Sequence, residues 1–133
     1  MEIIIIGTDP PCPRCRETYE RVKAVAKELA SQPSIKKIVY SSEEAQHFGK
    51  MGTGHDVVEW SSVQVDWDRI QELAGGDWTP ELDQFLMPLK AIAVKEGWIM
   101  TPVVVIDGKV AHFGNVPGMD DLRLLLKVKI GDR

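Results

Sequence analysis

The chain opens on a β-branched apolar run, Ile3-Ile4-Ile5-Ile6, that stops at Gly7. A strand without polar alternation has both faces covered, so the run predicts a central strand. Thr8 to Cys12 is a proline-rich loop. Pro13 suits the first turn of a helix, where a missing N–H costs nothing. Cys15, Tyr19, Val22, Ala26 and Leu29 then recur at three- and four-residue steps, predicting a helix to about Ala30 with one buried face. Ile35 to Tyr40 reads as a second strand, with Lys36 and Lys37 better suited to an edge than a centre. The order strand–helix–strand favours a parallel pair joined by a right-handed crossover.

The middle of the chain is less regular. Ser41 with Glu44 resembles a capping box, and a short helix is predicted from Glu43 to Lys50. Gly49, Gly52 and Gly54 interrupt it, and Val57 to Val65 suggests a short strand. Asp66 is placed to cap a helix from Trp67 to Ala74 that Gly75 and Gly76 end. Thr79-Pro80 starts a further helix, whose apolar stripe is Leu82, Phe85, Leu86, Leu89, Ile92 and Ala93. Pro88 inside it should kink or split it, and Gly97 ends it.

The last third carries the clearest signals. Pro102 to Ile106 is an apolar strand, Asp107-Gly108 a hairpin turn, and Lys109 to Phe113 the returning strand. After a loop over Gly114 to Pro117, Met119, Leu122, Leu125 and Leu126 form the inner face of a closing helix. Asp120 and Asp121 stand in its first turn, where the helix dipole favours them.

Composition narrows the class. The 133 residues are 44% hydrophobic and 27% charged, the balance of a soluble globular domain, with a formal net charge of −4. There is no basic stripe, so nucleic acid is not an expected partner. The N-terminus has no basic start or small-residue cleavage site, and the isoleucine run is too short to span a bilayer; a cytoplasmic protein without a membrane partner is expected. The two cysteines, Cys12 and Cys15, sit together at the junction of the first strand and helix. In a reducing compartment a close pair is more often catalytic or metal-binding than structural.

That junction carries a chemistry. Cys12 falls at the N-cap, where unpaired N–H groups and the helix dipole favour a thiolate. Cys15 lies one turn in, on the same face and deeper, placed to attack a mixed disulfide formed by Cys12. Cys12 is thus the expected attacking thiol and Cys15 the resolving one. Arg14 and Arg16 flank the pair with positive charge, and Asp9 opposes them. Arg14 reads equally as a thiolate-tuning group or as an exposed helix residue. The alternative to redox chemistry is a soft-metal site for copper(I), zinc or arsenite on the same two thiolates. Two cysteines are half a tetrahedral zinc site, and His47, His55 and His112 show no ligand spacing, so no metal is expected as a resident cofactor. Trp60, Trp67, Trp78 and Trp98 are expected to pack the middle segment on the sheet; the sharper reading is a lid or docking surface beside Cys12.

Three stretches together carry a family resemblance: Ile3-Ile4-Ile5-Ile6-Gly7-Thr8, Cys12-Pro13-Arg14-Cys15, and Thr101-Pro102-Val103-Val104-Val105-Ile106-Asp107-Gly108-Lys109-Val110. With the pattern of Gly114 to Leu126, the chain resembles the thioredoxin superfamily, and more narrowly its small redox-active disulfide proteins of archaea and anaerobic bacteria. The resemblance implies an α/β, thioredoxin-like three-layer fold over residues 1–133. Its central mixed four-stranded sheet would be flanked by helices; the family's small proteins are shorter, and 41–79 reads as a segment inserted in the middle of this chain. The resemblance also implies Pro102 in cis beside the cysteines and substrate backbone pairing at Thr101; Pro13 and Arg14, between the cysteines, are the residues expected to tune the thiol. It further implies a thiol–disulfide oxidoreductase that exchanges its Cys12–Cys15 disulfide with protein or small disulfide partners. No cofactor beyond that disulfide is implied, and an upstream thioredoxin-type reductase is. The chain departs from thioredoxin proper in having Pro11 before Cys12 and Pro-Arg between the cysteines.

Overall fold

The computed structural model describes residues 1–29 and 32–131, with residues 127–131 given as helix backbone. In chain order the elements are β1 (Glu2–Gly7), α1 (Pro13–Ala26), β2 (Ser34–Val39), α2 (Glu43–Gln46), β3 (Met51–Gly52) and α3 (Gly54–Ser61). They continue with α4 (Trp67–Ala74), α5 (Pro80–Glu96), β4 (Ile99–Met100), β5 (Val103–Ile106), β6 (Lys109–Phe113) and α6 (Met119–Gly131).

The protein is a mixed α/β fold whose four-stranded sheet has the order β2-β1-β5-β6. β1 is central, as its unbroken apolar run requires: it pairs parallel with β2 and antiparallel with β5. Both of its faces are buried. Ile3 and Ile5 pack with Val104 and Ile106 against Val22 and Val25 of α1 and Leu122 and Leu126 of α6. Ile4 and Ile6 turn to the other face with Val103 and Val105, beneath Ala45 and Met51. The register Ile3↔Ile106 through Ile6↔Val103 keeps each set on one face, so a one-residue slip would exchange the two cores. Asp107 and Gly108 both take positive φ, 49° and 83°, as a two-residue hairpin turn requires.

A third core lies among α3, α4, α5 and β4, built on Val57, Ile70, Leu82, Leu86, Leu89 and Met100. It meets the second core at Phe113. Trp60, Trp67, Trp78 and Trp98 pack on this third core. They consolidate the helices contributed by residues 54–96, where the sequence suggested packing on the sheet. Phe85, expected in the α5 stripe, is 39% exposed, and the buried line is Leu82, Leu86, Leu89 and Ala93 with Asp83 beside it.

Other departures have local causes. Residues 57–65 are not a strand: 54–61 form α3, because Thr53 accepts a hydrogen bond from the Asp56 amide while the Asp56 carboxylate accepts one from the Thr53 amide. This reciprocal cap outweighs the β-branched character of Val57 and Val58. α2 is capped by Ser42, which accepts from the Ala45 amide, in place of Ser41, and is shorter than expected. α5 runs unsplit through Pro88. Gln84 and Pro88 are both exposed, so the carbonyl that proline leaves unpaired can turn to water. α1 ends at Ala26, short of the expected end near Ala30, which lies outside the described residues. The two-residue parallel pair of β3 and β4 is too short to be visible as a pattern. Among the described residues no helix is long and apolar enough to cross a membrane.

Candidate functional site

β1 delivers the chain into a loop that one side chain organises. Thr8 Oγ1 donates to the Pro10 carbonyl at 2.9 Å and accepts from the Cys12 amide at 3.0 Å. The Asp9-Pro10 peptide within the loop is cis. Cys12 is the N-cap of α1, with extended backbone (φ −72°, ψ 166°), and Pro13 follows at the first helical position. The ring of Pro13 fixes φ where a helix needs it and removes a donor that would have no intrahelical partner. The helix start, which Cys12 occupies, is thereby held by Thr8 on one side and Pro13 on the other.

The two sulfurs lie 3.3 Å apart, both as free thiols. Cys12 is partly exposed and Cys15 is 4% exposed. The Cys12 thiol is lowered from 9.0 to about 6, first by the hydrogen bond from Cys15, then by the backbone amides at the helix start and the Arg14 charge, against burial. Cys15 is pushed far up, by the same hydrogen bond, by burial and by the neighbouring Cys12 charge. Both shifts favour the proton on the inner sulfur and the negative charge on the outer one. Cys15 reaches this position because Gly7 lacks a side chain: a Cβ there would stand 2.6 Å from Cys15 Sγ.

Arg14 is buried, at 5% exposed, which decides between its two sequence readings against a solvated side chain. Its Nε donates to Asp83 Oδ1 at 2.8 Å and its Nη2 donates to the Gly114 carbonyl. Asp83 Oδ2 accepts from Trp78 Nε1 and from the Val116 amide, each at 3.0 Å. The start of α1, the loop before α5, α5 itself and the loop after β6 thus meet in one polar network. Among the described residues no buried side-chain nitrogen or oxygen lacks a partner.

The Thr101-Pro102 peptide is cis. Both residues are buried, and Thr101 lines a cleft that Cys12 also lines. At Thr101, where backbone pairing with substrate is expected, the amide donates to the Gly52 carbonyl at 3.0 Å, extending the β3–β4 ladder by one bond. The Pro102 carbonyl accepts from the Gly114 amide at 3.0 Å. The cleft, half open to solvent, has a volume of about 150 Å³ between the start of α1 and the third core, with Ile70, Leu82 and Leu86 on its far wall. His55 and Trp67, whose rings are 4.9 Å apart, also line it, so one of the four tryptophans does stand beside Cys12. His112 is engaged with the Asn115 carbonyl, and His47 lies on α2's exposed end. Among the described residues no group of three His, Cys, Asp or Glu side chains converges as a metal site.

The fold and site define a mixed α/β protein with a dithiol at the N-terminus of its first helix. Comparison with protein-family models, curated proteins and solved structures finds no match to this chain. The site residues that sequence reasoning missed are Gly7, Asp83 and the cleft wall. Asp83 reads in sequence as an ordinary first-turn acid of α5, and no spacing rule ties it to Arg14, 69 residues away.

Proposed function

We propose that the protein is a thiol–disulfide oxidoreductase of thioredoxin-like fold, working in a reducing cytoplasm on protein or small disulfide partners. One observation carries the reading: a partly exposed sulfur at a helix N-cap, biased toward thiolate, with a buried protonated sulfur 3.3 Å behind it. The mixed sheet with a cis Thr101-Pro102 beside the same cleft supports it.

The Cys12 thiolate attacks one sulfur of a disulfide, forming a mixed disulfide and expelling the other sulfur as a thiolate. Two of the causes that hold Cys15 protonated, its hydrogen bond to Cys12 and the Cys12 charge, vanish at this moment. Cys15 then yields its proton to the departing thiolate and attacks Cys12 Sγ, closing the Cys12–Cys15 disulfide and releasing the second thiolate. Two electrons pass from the dithiol to the substrate, and a dithiol reductase of thioredoxin-reductase type returns them. Arg14 favours the attacking anion, and Thr8 and Pro13 keep the helix start in place.

The test is titration of the pair against glutathione buffers, with turnover of a disulfide substrate by Cys12→Ser and Cys15→Ser variants. A reversible two-electron disulfide and loss of turnover in Cys12→Ser are expected. A Cys12→Ser protein reducing disulfides at the normal rate overturns the reading. Stoichiometric soft metal on protein purified without chelator, with no disulfide formed, favours the thiolate–metal alternative.

A further inference from the structure

The cleft beside Cys12 has a size, a lining and a charge balance that select a substrate. Half open to solvent, it has room for about 150 Å³. A volume of about that size holds one benzene ring. Its far wall is Ile70, Leu82 and Leu86, all at least nine-tenths buried, and Ala74 at the end of α4 completes it. Arg14 is the arginine that lines it, and its guanidinium is already paired with Asp83. A carboxylate entering here would find no unspent guanidinium and would lose its water, and His55, the other basic side chain in the lining, has its ring against Trp67. The nucleophile stands in the wall, so a group seated in the cleft presents its attached sulfur to Cys12. The amide of Thr101 is bonded to Gly52, so the segment beside the cleft offers an incoming peptide no N–H at that position.

From these observations we infer that the substrate is a low-molecular-weight disulfide carrying one uncharged aromatic or branched aliphatic group on the sulfur that Cys12 attacks, seated between α1 and the Ile70–Leu82–Leu86 wall. The inference rests on the dithiol–disulfide reading and narrows it. Glutathione disulfide, with two carboxylates and an ammonium on each half, is a poor fit in both volume and charge. The attack forms a bond between Cys12 and the sulfur bearing the apolar group and expels the other half as a thiolate. Cys15 then releases the apolar thiolate as the protein disulfide closes, so the two electrons gained by the substrate are those lost by the dithiol.

The experiment mixes pre-reduced wild-type protein with benzyl 2-hydroxyethyl disulfide, bis(2-hydroxyethyl) disulfide, glutathione disulfide or a disulfide-linked peptide pair, and follows loss of protein thiols. The benzyl compound is expected to react at least about tenfold faster than the hydroxyethyl one, the factor given by roughly 1.4 kcal/mol of apolar burial. Glutathione disulfide should be the slowest. Benzyl methyl sulfide, which cannot exchange, should slow the benzyl reaction competitively. Ala74→Leu, which fills the cleft, should bring the benzyl-to-hydroxyethyl ratio close to one. Equal rates for the two small disulfides, or no competition by the sulfide, overturn the cleft assignment while leaving the dithiol reading intact. Faster reaction with the peptide pair overturns the low-molecular-weight assignment. No reaction with any disulfide sinks the dithiol reading itself.

Discussion

Arg14 Nε and Asp83 Oδ1 meet at 2.8 Å with both side chains at most one-tenth exposed, joining the helix that carries the cysteines to the helix that walls the cleft. A buried pair of this kind is sustained by complete hydrogen bonding, and here the guanidinium also donates to Gly114 while the carboxylate takes two further donors. Removing one partner strands the other charge. Asp83→Ala is therefore expected to destabilise the protein by about 3–5 kcal/mol, measured by urea unfolding. An Arg14→Met, Asp83→Leu double variant should lose less than the two single losses added together, because no charge is left unpaired. Strict additivity would mean that the pair does not act as a unit.

The acidity of Cys12 gives a pH profile with a definite sign. Alkylation of the reduced protein should rise with pH about a midpoint near 6, whereas an ordinary thiol titrates near 9.0. Cys15 should remain unmodified across that range. Because the hydrogen bond from Cys15 is the largest cause, Cys15→Ala should raise the midpoint more than Arg14→Gln, and Cys15→Ser, which keeps a donor, should raise it less than Cys15→Ala. Mass-spectrometric rates of iodoacetamide labelling at Cys12 read this order directly.

The same shift predicts how stability follows pH. A thiol more acidic in the folded than in the unfolded state stabilises the fold when ionised. For the reduced protein the Cys12 contribution is complete above pH 9.0, shrinks as pH falls, and is gone below about 6. Urea midpoints of the wild type should therefore show a fall across this window that Cys12→Ala lacks.

Gly7→Ala tests the close approach of β1 to the inner cysteine. The added methyl would stand 2.6 Å from Cys15 Sγ and 3.0 Å from its Cβ, and Cys15 is only 4% exposed. A cost of about 1–3 kcal/mol is expected, as for other overpacked core sites, with slower closure of the Cys12–Cys15 disulfide. Stopped-flow oxidation by a small disulfide separates the second effect from the first.

Two glycines of positive φ should differ in their tolerance of alanine. Gly108, at φ 83°, has open space around a built Cβ, so Gly108→Ala should cost only the backbone term, about 1–2 kcal/mol. Gly114, at φ 90°, would also drive its Cβ to 2.8 Å from the Lys90 side chain, and its carbonyl receives Arg14. Gly114→Ala should therefore cost more than Gly108→Ala and should raise the labelling midpoint of Cys12, which Gly108→Ala should not.

Much of this protein was legible from pattern alone. An unbroken isoleucine run demanded a covered central strand, Asp107-Gly108 demanded a hairpin, Asp66 and Gly75 bounded α4, and Pro13 set the start of α1 with a cysteine on either side. Each of these follows from interactions within a few residues, where period, capping and turn chemistry are decided locally. The tertiary structure alone decided that Arg14 is buried against Asp83, that Gly7 makes room for Cys15, and that the Thr101 amide is taken by Gly52. It alone also placed Ile70, Leu82 and Leu86 across a cleft from Cys12. Those contacts join residues separated by tens of positions, and they depend on how helices pack once the sheet has formed. No short-range rule encodes such a distance: an acid in the first turn of α5 looks the same in sequence whether it faces water or a buried guanidinium.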